Sequence, residues 1–558
     1  MTSTRTTGLV ALGCLAASAM GQTAGQTSDG SALITEPVVG PNGPIFPAGA
    51  AIPRNLTQAE RRWLESHPLL TPRDFAGAPR GPIHCAAEYE PMQAILLSWN
   101  GASSWLSIVT QMANRITRVG DAEAWIVVRD ASTEATARTQ LTNGNVDMTK
   151  VRFFRRPVDT IWIRDYGPRY IFQGDVRAIV DHTYNRPRPN DDSLPVWIGQ
   201  QLRQPVYHVG LIHGGGNFHL DAVDRGYASR LINNENPGKA EAEIVGRWLD
   251  FQGLNMTLLE PFPANVDSTQ HLDMWMQVVA DNRVIVSDWP LNRGSTQDRI
   301  CNETAAMMAS RGYTVFRTPA LSISGTHYTY ANTVMCNNTV LLPSYTNATV
   351  SPYNAQALAV WQQAAPGKLI QQINCQSIVT AAGVMHCIAM HVPRPRGGVN
   401  PTAYVLAPAD PLSIVSPGDA LQIRWASDDD RGTTTADVLF STDDGETYSP
   451  IAAGVPDAGS FDWTVPDWFT ARGVVRVAVR DADGNQGWAN GPGRIVVRAC
   501  DADVNADGLL DGEDIASFVE CFEGVACGPG VTADADGDGW INGFDYDAFV
   551  ESLEAGCS

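Results

Sequence analysis

No apolar run after residue 21 approaches the roughly 18 residues needed to cross a bilayer, so nothing beyond the N-terminus predicts a permanent membrane span. Neither Gly-x-Ser-x-Gly nor His-Glu-x-x-His occurs in the chain. Their absence removes the nucleophile elbow of serine esterases and the helix-borne ligand pair of zinc peptidases. The string His213-Gly214-Gly215-Gly216 would suit an esterase oxyanion hole, but without an elbow that reading has no nucleophile. Lysine and arginine are missing from Cys500 to Ser558, where ten Asp and five Glu accumulate. That tail holds −15 of the formal charge of −21 and leaves −6 for the rest, so no basic face for nucleic acid or anionic lipid is expected. No simple short-period repeat is visible between residues 56 and 400.

What is present divides the 558 residues into segments. Arg5, an apolar run from Gly8 to Met20 and small residues near Gly21 have the form of a secretory signal peptide over 1–21. This predicts an exported protein, extracellular or held at the cell envelope. Residues 22–55 are rich in Gly, Pro and Ala and read as an N-terminal extension. From 56 to 400 short β-rich runs alternate with helical stretches. Ala124–Val128 and Arg283–Val286 predict strands, while Ala240–Phe251 and Glu303–Arg311 predict amphipathic helices, giving an α/β region. After the Pro393–Gly398 linker, Leu421, Ile423 and Trp425, and likewise Val475, Val477 and Val479, alternate with polar neighbours. With the turn signal Asp443-Asp444-Gly445, this predicts an all-β, immunoglobulin-like sandwich over 401–499.

The last segment, 500–558, carries two matched acidic loops. Asp503, Asn505, Asp507, Asp511 and Asp514 occupy positions 1, 3, 5, 9 and 12 of the first; Asp534, Asp536, Asp538, Asn542 and Asp545 do so in the second. Gly508 and Gly539 stand at position 6. Hard oxygen donors at this spacing predict Ca²⁺ binding. Asp at position 12 and apolar Ile515, Phe518, Phe549 and Val550 after the loops resemble a dockerin repeat. That resemblance implies attachment to a cohesin-like or cell-envelope partner, although the loops lie further apart than in the usual dockerin.

Beyond the signal segment there are nine cysteines, an odd number, and export favours pairing them. Cys500, Cys521, Cys527 and Cys557 fall within one terminal segment, and their mutual pairing would leave Cys387 free. Four islands then attract attention: Trp162-Ile-Arg164-Asp165-Tyr-Gly-Pro168, Gln270-His271-Leu-Asp273-Met274, Tyr330-Ala-Asn332 and Met385-His386-Cys387. A planar guanidinium is matched by carboxylates on its edges, a thiolate can attack its central carbon, and a histidine can move the proton to departing ammonia. Asp165, Asp273, Cys387 and His271 supply that set in type and number. Two positions apart, His271 and Asp273 would share one side of a strand.

These islands, with Leu96-Leu-Ser-Trp99 and Gly215-Gly-Asn217, occur in the order of the Porphyromonas-type peptidylarginine deiminase family, which also contains agmatine deiminases, and they resemble it over about residues 80–395. The resemblance implies a five-bladed α/β propeller of pentein type with the site at its centre. It implies Cys387 as nucleophile, His271 as general acid/base, Asp165 and Asp273 as guanidinium ligands and Asn332 as an orienting group. Trp162 would line the arginine stem, and Asn217 would bind substrate. No cofactor is implied for this chemistry. Tyr184-Asn-Arg186-Pro-Arg188 resembles the segment that grips the carboxylate of a C-terminal arginine, so Arg186 and Arg188 point to an arginine-containing peptide as substrate. Agmatine, converted to N-carbamoylputrescine, is the small-molecule alternative; a catalytically degenerate envelope-attached binding protein is the non-enzymatic one.

Overall fold

A computed structural model describes residues 32–41, 43–71 and 77–557; the signal-peptide reading of 1–21 lies outside them. The α/β region is organised by one topological unit that recurs without a visible sequence repeat. In four sheets an antiparallel pair is followed by a third, parallel strand. These sheets are built on Arg169–Gln173, Val176–Tyr184 and Val206–His213; on His219–Leu220, Arg225–Ser229 and Asn255–Leu259; on Met276–Ala280, Arg283–Asp288 and Thr314–Ile323; and on Val334–Cys336, Thr339–Ser344 and Leu369–Asn374. Parallel neighbours require a crossover. Helices Leu194–Leu202, Glu241–Gln252, Thr296–Ser310 and Asn354–Ala364 supply it in turn.

The fifth sheet joins the two ends of the region. Its strand Ala389–Pro393, the last of the α/β part, pairs antiparallel with Met92–Ser98, one of the first, with Ala389 opposite Leu97 and His391 opposite Ile95. Met92–Ser98 then continues in parallel through Glu123–Val128 to Val151–Arg155. Strand Met92–Ser98 is buried almost along its length, as an apolar run between covering layers should be. Helix Ser103–Arg118 packs on the neighbouring strand Glu123–Val128, burying Trp105, Ile108, Val109, Met112, Ala113 and Ile116, one face at three- and four-residue spacing.

The strands expected at Ala124–Val128 and Arg283–Val286 form as Glu123–Val128 and Arg283–Asp288. The helix expected at Glu303–Arg311 begins seven residues earlier, at Thr296, where Ser295 caps it by accepting from the Asp298 amide. Cys85, Cys301, Cys336 and Cys375 remain thiols inside the core, against the expectation that export would pair them. Burial pushes Cys85, Cys301 and Cys336 up to about 12, so they behave as small apolar side chains.

Residues 401–499 form two facing sheets, one of Thr402–Ala407, Ala420–Asp428 and Ser460–Thr464, the other built around Thr433–Ser441 and Thr470–Asp481. Their shared core contains Val405, Ile423, Trp425 and Trp463 from the first and Val438, Phe440, Val475, Val477 and Val479 from the second. Asp444 and Gly445 take the positive φ values of the turn expected there. In the tail, helices Gly512–Phe522 and Gly543–Ala555 follow the two acidic loops, and Phe518 stacks on Phe549 at 4.1 Å. Disulfides Cys500–Cys557 and Cys521–Cys527 close this module. No helix among the described residues is long and apolar enough to cross a membrane.

The sandwich is held to the α/β region by a buried fork. Arg177 Nε and Nη2 each donate to Asp428 at 2.8 Å, and Arg177 Nη1 donates to the Pro393 carbonyl at 2.9 Å. Removing one member of such a pair strands the other charge. Asp428→Ala is therefore expected to cost about 3–5 kcal/mol, read as a lower urea midpoint, with a smaller loss for Asp428→Asn.

Candidate active site

The sequence islands sit where one sheet hands over to the next. Asp165 lies in the short helix Ile163–Tyr166, between the sheets of Val151–Arg155 and Arg169–Gln173. The glycines 214–216 follow strand Val206–His213 at the second junction. His271 and Asp273 lie at the third, Asn332 at the fourth and Cys387 at the fifth. His271 and Asp273 are not on a strand. Leu272–Met274 is a 3₁₀ turn capped by His271, and the tight turn rather than a pleat brings both side chains to one place.

At the convergence point a guanidinium is already bound, and it belongs to the chain: Arg54. Asp165 accepts from Arg54 Nε at 2.8 Å and from Nη2 at 2.7 Å. Asp273 accepts from Nη1 and Nη2, both at 3.1 Å. Cys387 Sγ accepts from Nη1 at 2.7 Å, and His271 Nδ1 lies 2.7 Å from Nη2. Two carboxylates thus clasp the guanidinium on adjacent edges, the bidentate geometry for which this cation is suited. Arg54, Asp165, His271 and Cys387 are all 0% exposed.

Burial alone would raise the two aspartates. The Arg54 charge outweighs it and holds both well below the usual carboxylate range, helped at Asp165 by His271 and at Asp273 by His386. Burial raises the Cys387 thiol well above its ordinary value, with Arg54 opposing. Asn332 positions that thiol: its Nδ2 donates to Sγ at 3.2 Å and to the Asp273 carbonyl at 3.1 Å, while its Oδ1 accepts from the His386 amide at 3.0 Å.

Two residues that the sequence analysis did not select brace this shell. His386 Nδ1 meets Asp273 Oδ2 at 2.9 Å, and its Nε2 faces Glu88 at 3.0 Å. Glu88 also accepts from Arg164 Nη1 at 2.7 Å, and Arg164 Nη2 reaches His391 Nδ1 at 2.7 Å. Ligand atoms of Glu88, His219 and His386 lie within 4.8 Å of one another, yet the Glu88 oxygens are already committed to this network. The glycine string is a floor rather than an oxyanion hole. A Cβ on Gly216 would stand 1.9 Å from Arg54 Nη2 and 2.8 Å from both Asp165 Oδ1 and Asp273 Oδ2.

The remaining expected residues are placed differently from one another. Trp162 is buried and donates from Nε1 to the Ile52 carbonyl at 2.8 Å. Arg186 Nε donates to the Arg54 carbonyl at 3.2 Å. Arg188 is buried against Glu60, Nε to Oε1 at 2.7 Å, and also donates to the Pro53 carbonyl at 2.9 Å. The Asn217 side-chain amide pairs with the backbone of Ser229, tying the glycine turn to strand Arg225–Ser229. The expected extension over 22–55 is therefore no mere tether: its residues Ile52 to Asn55 line and fill the site. Nothing in its composition linked Arg54 to partners 111, 219 and 333 positions away.

In the tail, Asp534, Asp536 and Asp538 bring carboxylate oxygens within 4.8 Å of each other, and Asp534 Oδ1 is buried without a hydrogen-bond partner. In the first loop Asp503 accepts from the amides of Ala499, Asp507 and Gly508. Asn505 accepts from the Asp507 amide, and Asp507 from the Leu509 amide. Asp511 and Asn542 cap the following helices, and Asp514 and Asp545 accept from Val504 and Ala535 in their own loops. An all-oxygen donor set of this kind fits a hard cation.

A profile described as Porphyromonas-type peptidyl-arginine deiminase matches residues 84–393. The chain is 24% identical over 387 residues to an agmatine deiminase of Pseudomonas aeruginosa (strain LESB58), covering 59% of this chain and 99% of that protein. It is 22% identical over 373 residues to the agmatine deiminase of Ectopseudomonas mendocina (strain ymp), covering 56% and 96%. Among solved structures, a C. jejuni agmatine deiminase with substrate bound aligns over 56% of this chain and 97% of its own, at 16% identity and a TM-score of 0.50. The agmatine deiminase of Enterococcus faecalis aligns over 57% and 100%, at 17% identity and a TM-score of 0.50.

The depressed aspartates make stability pH-dependent in a fixed direction. Their contribution is present above the unfolded carboxylate value of about 4 and is lost as pH falls through the lower folded values. Denaturant titrations from pH 5 to pH 2 should show stability falling more steeply for the intact chain than for Arg54→Ala, in which the cation that depresses both groups is gone.

Proposed function

Because the chain belongs to the Porphyromonas-type peptidyl-arginine deiminase family, whose members are guanidine-modifying hydrolases of C–N bonds, we propose that its substrate is peptidyl-arginine with a free C-terminal carboxylate. The five α/β sheets would be the blades of a pentein propeller around the site. Asp165 and Asp273 hold the substrate guanidinium as they hold that of Arg54. The Cys387 thiolate adds to its central carbon, and His271 hands the departing nitrogen the proton that makes it ammonia. Water then displaces the thiolate from the thiouronium, leaving citrulline. Asn332 keeps the sulfur in line throughout.

The observation that carries the peptide reading is the pair of arginines beside the pocket. Arg186 holds the carbonyl oxygen of the bound arginine, and Arg188 holds a buried carboxylate, that of Glu60. A C-terminal arginine would present both oxygens in one group; agmatine, which ends in an amine, would leave both guanidiniums unanswered. Agmatine remains the second reading because the relatives named agmatine deiminase align over nearly their whole length. The complete catalytic set argues against a degenerate scaffold.

Citrulline and ammonia release should be compared for a peptide ending in free arginine, its C-terminal amide, and agmatine. We expect preference for the free carboxylate, and Arg186→Gln should cost about 10- to 100-fold in kcat/KM on that peptide alone. Faster turnover of agmatine, unaffected by the substitution, would overturn the substrate assignment.

Export, an immunoglobulin-like role for the sandwich and dockerin-like Ca²⁺ loops complete the proposal. The terminal disulfides support an oxidising compartment. Asp534, Asp536 and Asp538 would hold the ion in the second loop, with Asp503, Asn505 and Asp507 as their counterparts. A cohesin-like or envelope partner would dock on exposed Trp540, Ile541 and Phe544. Ca²⁺ at 100 times its dissociation constant should stabilise the tail by about 2.7 kcal/mol, seen as a rise in its melting temperature that a chelator reverses and Asp534→Ala abolishes.

A further inference from the structure

We infer that residues 32–41 and 43–65 belong to a detachable strap that keeps this enzyme latent, with Arg54 lodged in the active site as an internal copy of the substrate. The inference rests on Asp165, Asp273 and Cys387 being the guanidinium site. All N–H groups of Arg54 face partners: Nε one carboxylate oxygen, Nη1 an oxygen and Sγ, Nη2 two oxygens and His271. The strap also imitates a peptide's main chain. Arg54 N donates to the Ala381 carbonyl at 2.9 Å, and Trp162 and Arg186 hold the carbonyls of Ile52 and Arg54. Glu60 places a carboxylate on Arg188, locked there by its capping box with Thr57. A substrate arginine cannot enter until this arginine leaves.

The bound arginine is held on every side. Cys387 Sγ lies 2.7 Å from Nη1, so the arginine stands where a substrate guanidinium would have to stand and acts as a plug.

The strap is attached in a way that permits release. Its only strands among the described residues, Val38–Gly40 and Gly43–Ile45, pair with each other and with no sheet of the enzyme. Val38, Val39 and Ile45 are exposed, and a cavity of about 250 Å³ separates Gly43, Trp63 and His67 from Arg186 and Arg188. Leu70, just beyond helix Gln58–Leu64, is 79% exposed and open to a protease. Tethering gives the strap a high effective concentration; cutting the tether removes it.

The test is alkylation of Cys387 by iodoacetamide in the full chain, mapped by mass spectrometry, alongside citrulline release. The intact chain should leave Cys387 protected. Arg54→Ala, and independently wild-type chain cut by limited proteolysis at Leu69–Leu70, should label Cys387 at least about tenfold faster, since a site open only part of the time reacts in proportion to that fraction. Citrulline release from a C-terminal-arginine peptide should rise in step. Equal labelling in the intact, substituted and cleaved chains would overturn the strap. Faster labelling without citrulline from any guanidine would leave the strap standing and overturn the deiminase reading instead. A mass gain of about one dalton at Arg54, the signature of conversion to citrulline, would overturn the plug, because citrulline lacks the charge that answers Asp165 and Asp273.

Discussion

Two carboxylates buried side by side are the constraint on which the rest of the molecule depends. Asp165 and Asp273 are 0% and 1% exposed, and both carry charge where an unpaired anion is expensive. Only a cation with donors on adjacent edges can satisfy both at once, so the site selects guanidinium over ammonium before any chemistry occurs. The same requirement explains the surroundings. Gly216 lacks a side chain because the cation needs that space, and His386 Nδ1 contacts the outer flank of Asp273 while Glu88 and Arg164 anchor His386.

The topology meets this requirement economically. Each of the five sheet junctions sends one short, irregular segment inward, and those segments deliver Asp165, the glycine floor, the His271–Asp273 turn, Asn332 and Cys387. Rigid strands flank every one of them, so the reacting groups are held from both sides. Pairing of Ala389–Pro393 with Met92–Ser98 fixes Cys387, two residues before that strand, against the opposite end of the α/β region. A strap that places a charged mimic on this platform turns the requirement into a means of control: the carboxylates are satisfied in the resting chain and exchange one guanidinium for another.

Local sequence made much of this legible. The period-two pattern at Leu421, Ile423 and Trp425 became a strand, the acidic loops were followed by helices, and Asp165, His271, Asp273, Asn332 and Cys387 do converge. Each carries a local signal, an unusual residue type beside a breaker or within an apolar run. The Asn217 side chain is instead bonded to the Ser229 backbone: a buried amide serves equally well to pin two backbones, and sequence does not tell these uses apart. Glu88 lies in none of the islands, and His386, though inside the Cys387 island, was given no role, because a brace acts through other side chains.

The sequence by itself determined the chemistry available: a thiol, a histidine, two aspartates, and arginines suited to an anion, on an α/β scaffold followed by an all-β segment and an acidic tail. It did so because residue type and short-range periodicity are local properties. Only the tertiary structure decided that the guanidinium filling the site is Arg54, that Arg188 is answered by Glu60, and that four cysteines stay reduced in the core. Those outcomes depend on which distant segments the sheet junctions bring into contact. A charge in a glycine- and proline-rich stretch carries no mark of the partner it will find.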